Sequence, residues 1–205
     1  MISFHAPSTF ILSGSTGSGK TSWLHRLIQY KDEMFESPPS KILYFYGIWQ
    51  PLFEVMEKEG VEFYQGLPTE EMIGNGEQHT MIILDDLQQE VVNSELIEKL
   101  FTQGSHHRNV TVVYLTQNLF RQGKNARNIT LNGHYMVFFR NPRDVGQMAS
   151  FGKQLGQSHI LKEAYTDATS EPYGYLVVDL SPHSDDKYRF RTNIWPDEDT
   201  VVYQS

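Results

Sequence analysis

Gly14-Ser15-Thr16-Gly17-Ser18-Gly19-Lys20-Thr21 follows the apolar run Phe10-Ile11-Leu12 and precedes a stretch in which Trp23, Leu24, Leu27 and Ile28 recur at helical spacing. Glycine, four residues, then Gly-Lys-Thr between a strand and a helix is the pattern of a phosphate-binding loop. The glycines let the backbone bend so that successive N–H groups converge on phosphate oxygens, and the start of the helix adds positive potential. Lys20 is expected to neutralise charge between β- and γ-phosphates, and the Thr21 hydroxyl to take a magnesium position. The expected nucleotide-binding segment is therefore Gly14 through Ser22, with ATP and Mg2+ as its ligands. Four fixed positions of this kind arise by chance in roughly 1% of chains this long at ordinary residue usage. The flanking strand and helix make coincidence rarer still.

The second informative stretch is Met81-Ile82-Ile83-Leu84-Asp85-Asp86. A buried apolar strand delivers a carboxylate at its C-terminal edge, where ligands sit in open α/β sheets. Asp85 is expected to hold magnesium, and Asp86 to accept a proton from an attacking water. Taken alone, Asp-Asp could equally cap a following helix. Its position 65 residues after Lys20, with room for one intervening strand, favours the chemical reading. Gln117 ends a further strand in the same way and could hold the lytic water or sense the γ-phosphate. Arg108 precedes that strand, so it should lie at the opposite edge of the sheet from its own nucleotide. It is either a surface arginine or an arginine finger facing a neighbouring subunit's nucleotide; Arg127 is the second candidate. His106-His107 has no nearby acid and reads as a solvated loop rather than a metal site. Tyr44, Phe45, Tyr46 and Trp49 could stack bases, though core and rim packing is the plainer reading.

Outward from these motifs, the chain reads as an α/β domain with a largely parallel sheet and helices on both faces. Expected strands are Thr9–Ser13, Lys41–Tyr46, Met81–Asp85, Val110–Thr116, His134–Phe139 and Tyr173–Leu180, several of them apolar throughout, as strands buried on both faces should be. Leu96, Ile97, Leu100 and Phe101 recur at helical spacing, and 143–155 and 158–165 also read as helices. Arg189–Trp195 alternates, which suggests an edge strand ahead of an acidic tail, the two filling about 182–205. A single domain over residues 1–205 is expected.

With 205 residues, the chain can bury a sizeable core. No apolar run approaches the roughly 18 residues of a membrane span, and the N-terminus shows no basic segment followed by an apolar one. The absence of cysteine excludes disulfides and thiolate metal sites. The expectation is a soluble, intracellular protein with no membrane partner. Net charge is −8, which argues against a general nucleic-acid coat. Yet 103–143 holds six basic residues (Arg108, Arg121, Lys124, Arg127, Arg140, Arg143) and no acid, so the remainder carries −14. Fields are screened over about 8 Å in physiological salt, so local charge decides contacts. This window could supply phosphate-gripping loops, with Lys124, Arg121 and Arg127 as candidates, or a face against the acidic remainder.

Taken together, Ser13 through Thr21, Ile83-Leu84-Asp85-Asp86-Leu87, Ser105-His106-His107-Arg108-Asn109, Leu115-Thr116-Gln117-Asn118-Leu119-Phe120, Phe139-Arg140-Asn141-Pro142-Arg143-Asp144 and Tyr173 through Leu180 resemble viral genome-packaging ATPases. These belong to the FtsK/HerA superfamily; the likeness is greatest to those of Maverick/Polinton elements and adintoviruses, with poxvirus-type enzymes more distant. The resemblance runs from about His5 to Pro196. It implies a RecA-like P-loop sheet, a ring of identical subunits, and ATP-driven translocation of double-stranded DNA into a capsid. Gln117 matches the polar sensor, and Arg108 lies near the position of a trans-acting arginine. Much of the superfamily has Glu after the magnesium Asp, whereas Asp86 is one methylene shorter. Two other functions remain compatible: a nucleotide-kinase-like phosphotransferase, and an assembly protein that uses nucleotide without motor activity.

Overall fold

A computed structural model describes residues 3–104, 108–119, 123–142, 145–182 and 184–204. His106, His107, Arg121 and Arg143 lie outside the described residues. Among the described residues, nine strands form one sheet in the order β3-β2-β4-β5-β1-β6-β7-β8-β9. They are β1 (Thr9–Ser13), β2 (Lys41–Tyr46), β3 (Glu62–Gln65), β4 (Thr80–Asp85), β5 (Val110–Thr116), β6 (Tyr135–Phe139), β7 (Tyr175–Asp179), β8 (Phe190–Thr192) and β9 (Val201–Tyr203). Strands β3 through β6 in that order pair in parallel, and β6 through β9 antiparallel.

Alternation along the central strands feeds two separate cores. Phe10 and Leu12 of β1 join Met81 and Ile83 of β4 on the face covered by helix α1 (Lys20–Gln29), which contributes Trp23, Leu24, Leu27 and Ile28. Ile11, Ile82 and Leu84 point to the other face, against Ile97, Leu100, Ile129, Phe151 and Leu161. Both sides are dry, which is why these strands are apolar without interruption. Removing one such side chain, as in Ile11→Ala, typically costs about 2–5 kcal/mol.

Register decides where the chemistry falls. Tyr46 stands beside Asp85, Asp85 beside Leu115, Thr116 beside Ser13, and Ser13 beside Phe138. The C-terminal ends of five parallel strands therefore lie in one row, and the loops after β1, β4 and β5 leave from the same edge.

Two expectations need correction. Two strands, not one, intervene between Lys20 and Asp85, because the exposed Glu62–Gln65 adds outside β2. Phe190–Thr192 is not the sheet edge, since Val201–Tyr203 from the acidic tail pairs outside it. The tail is tied down electrostatically: Arg26 of α1 contacts Asp197 at 2.6 Å and Glu198 at 2.7 Å and lies over the Trp195 ring.

His79, just before β4, bonds the Ser37 carbonyl through Nδ1 at 2.8 Å and the Thr111 hydroxyl through Nε2 at 2.8 Å. Burial pushes its pKa below the usual imidazole value, against the opposing effect of its backbone bonds. A depressed folded-state pKa contributes stability above the unfolded value near 6.5, and that contribution is lost as pH falls through the folded value. Thermal unfolding followed between pH 7 and 5 should therefore show a declining midpoint, with a shallower decline in His79→Gln.

Candidate nucleotide site

The loop between β1 and α1 is bent by two glycines in left-handed conformations, Gly17 at φ 75° and Gly19 at φ 103°. Gly14 is required for a different reason: a side-chain carbon there would stand 2.6 Å from Phe139 Cβ and 2.7 Å from Ser18 Oγ. The Gly14 N–H donates to the Thr116 carbonyl at 3.2 Å, which fastens the loop to the end of β5. Lys20 curls over the loop, its Nζ donating to the carbonyls of Gly14 at 2.7 Å and Ser15 at 2.9 Å. Burial lowers its pKa, while the negative charges of Asp85 and Asp86 act the other way.

A cavity of about 390 Å³ opens beside the loop. Thr16, Gly17, Lys20, Thr21, Asp85, Asp86, Gln88 and Gln117 line it, together with Ile48, Gln50, Leu115 and Thr116. The sheet order explains the gathering: β5 lies between β1 and β4, so the loop after β1 and the acids after β4 face each other across the end of β5, where Gln117 begins. Lys20, Thr21, Asp85, Asp86 and Gln117 are therefore brought together. Ser22 is exposed one residue further along α1.

Asp85 is 6% exposed. The Tyr44 hydroxyl donates to its Oδ2 at 2.7 Å, and Gln50 Nε2 donates to the same oxygen at 3.3 Å. Burial raises the Asp85 pKa, opposed by the Tyr44 bond and by Lys20. Asp86, by contrast, is exposed and adopts a left-handed backbone with φ 56°. Its carbonyl oxygen approaches Gly47 so closely that a side-chain carbon at 47 would lie 2.4 Å away. The Gly47 N–H also donates to the Asp85 carbonyl at 3.0 Å. Tyr44, Gln50 and Gly47 were not among the sequence candidates for this role. The signal for Tyr44 was there in part: it lies on the strand adjoining β4, and its hydroxyl needed a partner once the ring was buried.

The residues fit a magnesium nucleotide on three local observations. The glycines that would approach phosphate carry no side chain where the cradle closes, Ser18 Oγ is buried without a partner among the described residues, and a desolvated carboxylate faces a hydroxyl and an ammonium in one cavity. Thr21 and Asp85 are the residues that would hold the metal.

Arg108 lies elsewhere. It lies two residues before β5, whose length of about 20 Å at roughly 3.3 Å per residue separates it from the edge where Gln117 stands, and it pairs with Glu70 at 2.6 Å. Lys124 pairs with Glu95 at 2.7 Å, both groups being exposed. Two members of the acid-free window thus face acids from outside it. Arg127 and Arg140 are exposed. Tyr44 and Phe45 are core residues rather than a stacking surface, while Trp49, 43% exposed, packs edge-on against Tyr46 and Phe53.

No family model matches the sequence, and no curated protein matches it. Solved structures do. The genome-packaging NTPase B204 from Sulfolobus turreted icosahedral virus 2, in complex with ATP-gammaS, superimposes with a TM-score of 0.52 at 12% identity, covering 96% of this chain and 97% of that one. B204 from Sulfolobus turreted icosahedral virus, a DNA-packaging ATPase, gives 0.54 at 10% identity over 96% and 97%. The flagellar accessory protein FlaH from Methanocaldococcus jannaschii gives 0.50 at 10% identity over 98% and 91%. The fold is that of a RecA-like P-loop NTPase. At these identities the likeness speaks to the fold, and the geometry of this chain must carry the rest.

Tyr44→Phe removes a hydrogen bond to the carboxylate without emptying the core. The magnesium concentration that half-saturates nucleotide binding should rise about tenfold, as for other residues that orient metal ligands, in a fluorescent-nucleotide titration against Mg2+. An unchanged magnesium requirement would show that Tyr44 only packs.

Proposed function

We propose that this chain is an ATP-hydrolysing motor that moves double-stranded DNA into a viral capsid without reading its sequence, working as a ring of identical subunits. The observation that carries this reading is the convergence of Lys20, Thr21, Asp85, Asp86 and Gln117 on one cavity. Lys20 neutralises the terminal phosphates, and the loop amides fix their orientation. Thr21 and Asp85 would hold magnesium, which would screen phosphate charge. Asp86, exposed at the cavity wall, accepts the proton of the attacking water, and Gln117 orients that water. The finer reading places the chain in the FtsK/HerA superfamily, near the Maverick/Polinton and adintovirus packaging ATPases, active inside the host cell where capsids assemble and in contact with capsid proteins. The structural likeness to two genome-packaging enzymes over nearly the whole chain supports the coarser part of this reading, a packaging ATPase.

Arg108 is too far from its own cavity to act there, so its contribution is to the nucleotide of a neighbouring subunit, with Arg127 as the alternative. DNA phosphates are gripped by the basic segment that includes Lys124, Arg121 and Arg127. Such contacts carry affinity but no sequence information. The Lys124–Glu95 pair is no obstacle, since exposed pairs contribute only about 0–1 kcal/mol.

Turnover measured with and without double-stranded DNA tests the motor. Wild type should be weakly active alone and stimulated by DNA, with stimulation declining as salt rises. Asp86→Asn should retain nucleotide binding and lose at least about 100-fold in turnover. If wild type turns over no faster than that variant, nucleotide only holds an assembly together. If phosphate passes to an added nucleoside monophosphate regardless of DNA, the chain is a phosphotransferase.

A trans role for Arg108 has its own signature. Arg108→Ala subunits mixed into wild type should depress turnover more steeply than their fraction, while binding nucleotide normally. A strictly monomeric chain with full activity, by native mass, removes that role.

A further inference from the structure

The flank of the phosphate loop facing away from Asp85 carries an aromatic side chain that the chemistry above leaves unused. Tyr173 is 70% exposed, yet its ring is not free over solvent. Its Cδ1 stands 3.1 Å from where a side-chain carbon on Gly19 would sit, so the ring lies along the loop backbone where α1 begins.

The backbone that presents this ring is unusual. Glu171-Pro172-Tyr173-Gly174 closes a turn, the Gly174 N–H donating to the Glu171 carbonyl at 3.1 Å. Proline in the second position and φ 65° in the third is the type II arrangement. The third position of such a turn ordinarily belongs to glycine or asparagine. Gly174 is fixed in its own right, since a side-chain carbon there would lie 2.4 Å from the Ala168 carbonyl oxygen at the end of helix Ser158–Ala168. A bulky aromatic is thus held in a left-handed conformation, and burial of its ring does not offset the strain. Strain of this kind at the rim of a site points to use rather than to packing.

Topology gives the ring its place. Strand β7 is antiparallel to β6 with Tyr175 beside Phe139, so the turn enters at the same sheet edge as the phosphate loop. Gly14 packs on Phe139, and the Ser15 hydroxyl donates to the Arg140 carbonyl at 3.2 Å. The acids and Gln117 occupy the β4–β5 flank of the loop; Tyr173 occupies the β6–β7 flank. A triphosphate whose terminal group lies at the acids, and which follows the loop towards Gly19, delivers its nucleoside to the Tyr173 side.

We propose that Tyr173 is the stacking platform for the nucleobase, a flat purine attached to the phosphates that the loop holds. This inference rests on the nucleotide site proposed above. An exposed aromatic face against a planar base is sequence-tolerant recognition, because it reads the π-face and not the hydrogen-bonding edge.

Calorimetric binding of Mg-ATP and of magnesium tripolyphosphate, which has the phosphates but no base, separates the two readings. Tyr173→Ala and Tyr173→Gly should weaken ATP about tenfold and leave tripolyphosphate unchanged. Tyr173→Gly relieves the turn, so its thermal midpoint should equal or exceed that of wild type, which separates lost binding from lost folding. Tyr173→Trp should restore ATP affinity, with tryptophan fluorescence that responds to ATP and not to tripolyphosphate. Equal ATP affinity in wild type and Tyr173→Ala, or equal losses for the two ligands, overturns the platform while leaving the phosphate site standing. Wild type that binds neither ligand overturns the nucleotide site, and the platform with it.

Discussion

A carboxylate taken out of water at the end of a fully buried strand is the constraint around which the rest of this site is arranged. Strand β4 is dry along its whole length, and Asp85 is its last residue. The cost of burying an unpaired ion is several kcal/mol even after relaxation, which is why burial pushes the Asp85 pKa up. Three groups oppose that cost: the Tyr44 hydroxyl, the Gln50 amide and the ammonium of Lys20. Burial also drives the Tyr44 phenol well above its ordinary pKa, so it remains a donor to the carboxylate at any physiological pH. Lys20 is in a reciprocal position, desolvated and tethered to the carbonyls of Gly14 and Ser15. The site is poised with opposite charges facing one cavity, a state that a magnesium-bound polyphosphate would complete.

Strands buried on both faces announced themselves as continuous apolar runs, and β1, β2, β4, β5 and β6 fell within a residue of their expected bounds. The strands that escaped notice are short and lie at the sheet margins. Glu62–Gln65 is mostly solvent-facing, with Phe63 packed on the core and Tyr64 stacked on Phe45. Val201–Tyr203 follows a run of acids, of which Asp197 and Glu198 are held by Arg26, more than 170 residues away in sequence. No local pattern encodes a contact of that separation. The site divides in the same way. The loop pattern and the two acids were legible because their residue types and spacing are local features of the sequence, and the fold brings both to one cavity. Tyr44, Gln50 and Gly47 were not, because their importance comes from register: only the pairing of β2 with β4 sets them against Asp85 and Asp86.

Four described non-glycine residues adopt left-handed backbones: Asp86, Asn109, Tyr173 and Asn193. Asparagine and aspartate tolerate this conformation, whereas other L-residues pay about 1–2 kcal/mol. Asn109 forms the corner that starts β5, and Asn193 follows β8, both ordinary turn positions. Asp86 differs in that its geometry has a partner. Gly47 admits the Asp86 carbonyl where any side chain would collide, so the loop after β2 and the turn after β4 fix each other. That loop also carries Ile48, 67% exposed at the cavity rim, and Trp49. A shift in either segment is felt by the other at the residue assigned to activate water.

Under the proposed function, chemistry at Asp86 must reach the basic segment that grips DNA, and the packing offers a short route. Leu87 leads from Asp86 directly into helix Gln88–Asn93, whose Gln88 lines the cavity. At the far end of that helix, the Val92 carbonyl accepts a hydrogen bond from the Asn125 N–H at 2.9 Å. Gly123 is pressed so tightly on the same residue that a side-chain carbon there would lie 2.5 Å from Val92 Cγ2. Lys124 stands between these two contacts. Close-packed interiors switch between discrete arrangements rather than deforming smoothly, so a helix displaced at Gln88 would carry the Gly123–Asn125 segment with it. The weakness of the Lys124–Glu95 pair then becomes an advantage. An ammonium held by an exposed carboxylate keeps its position while unengaged, and exchanges that carboxylate for a phosphate at little cost once DNA is within reach.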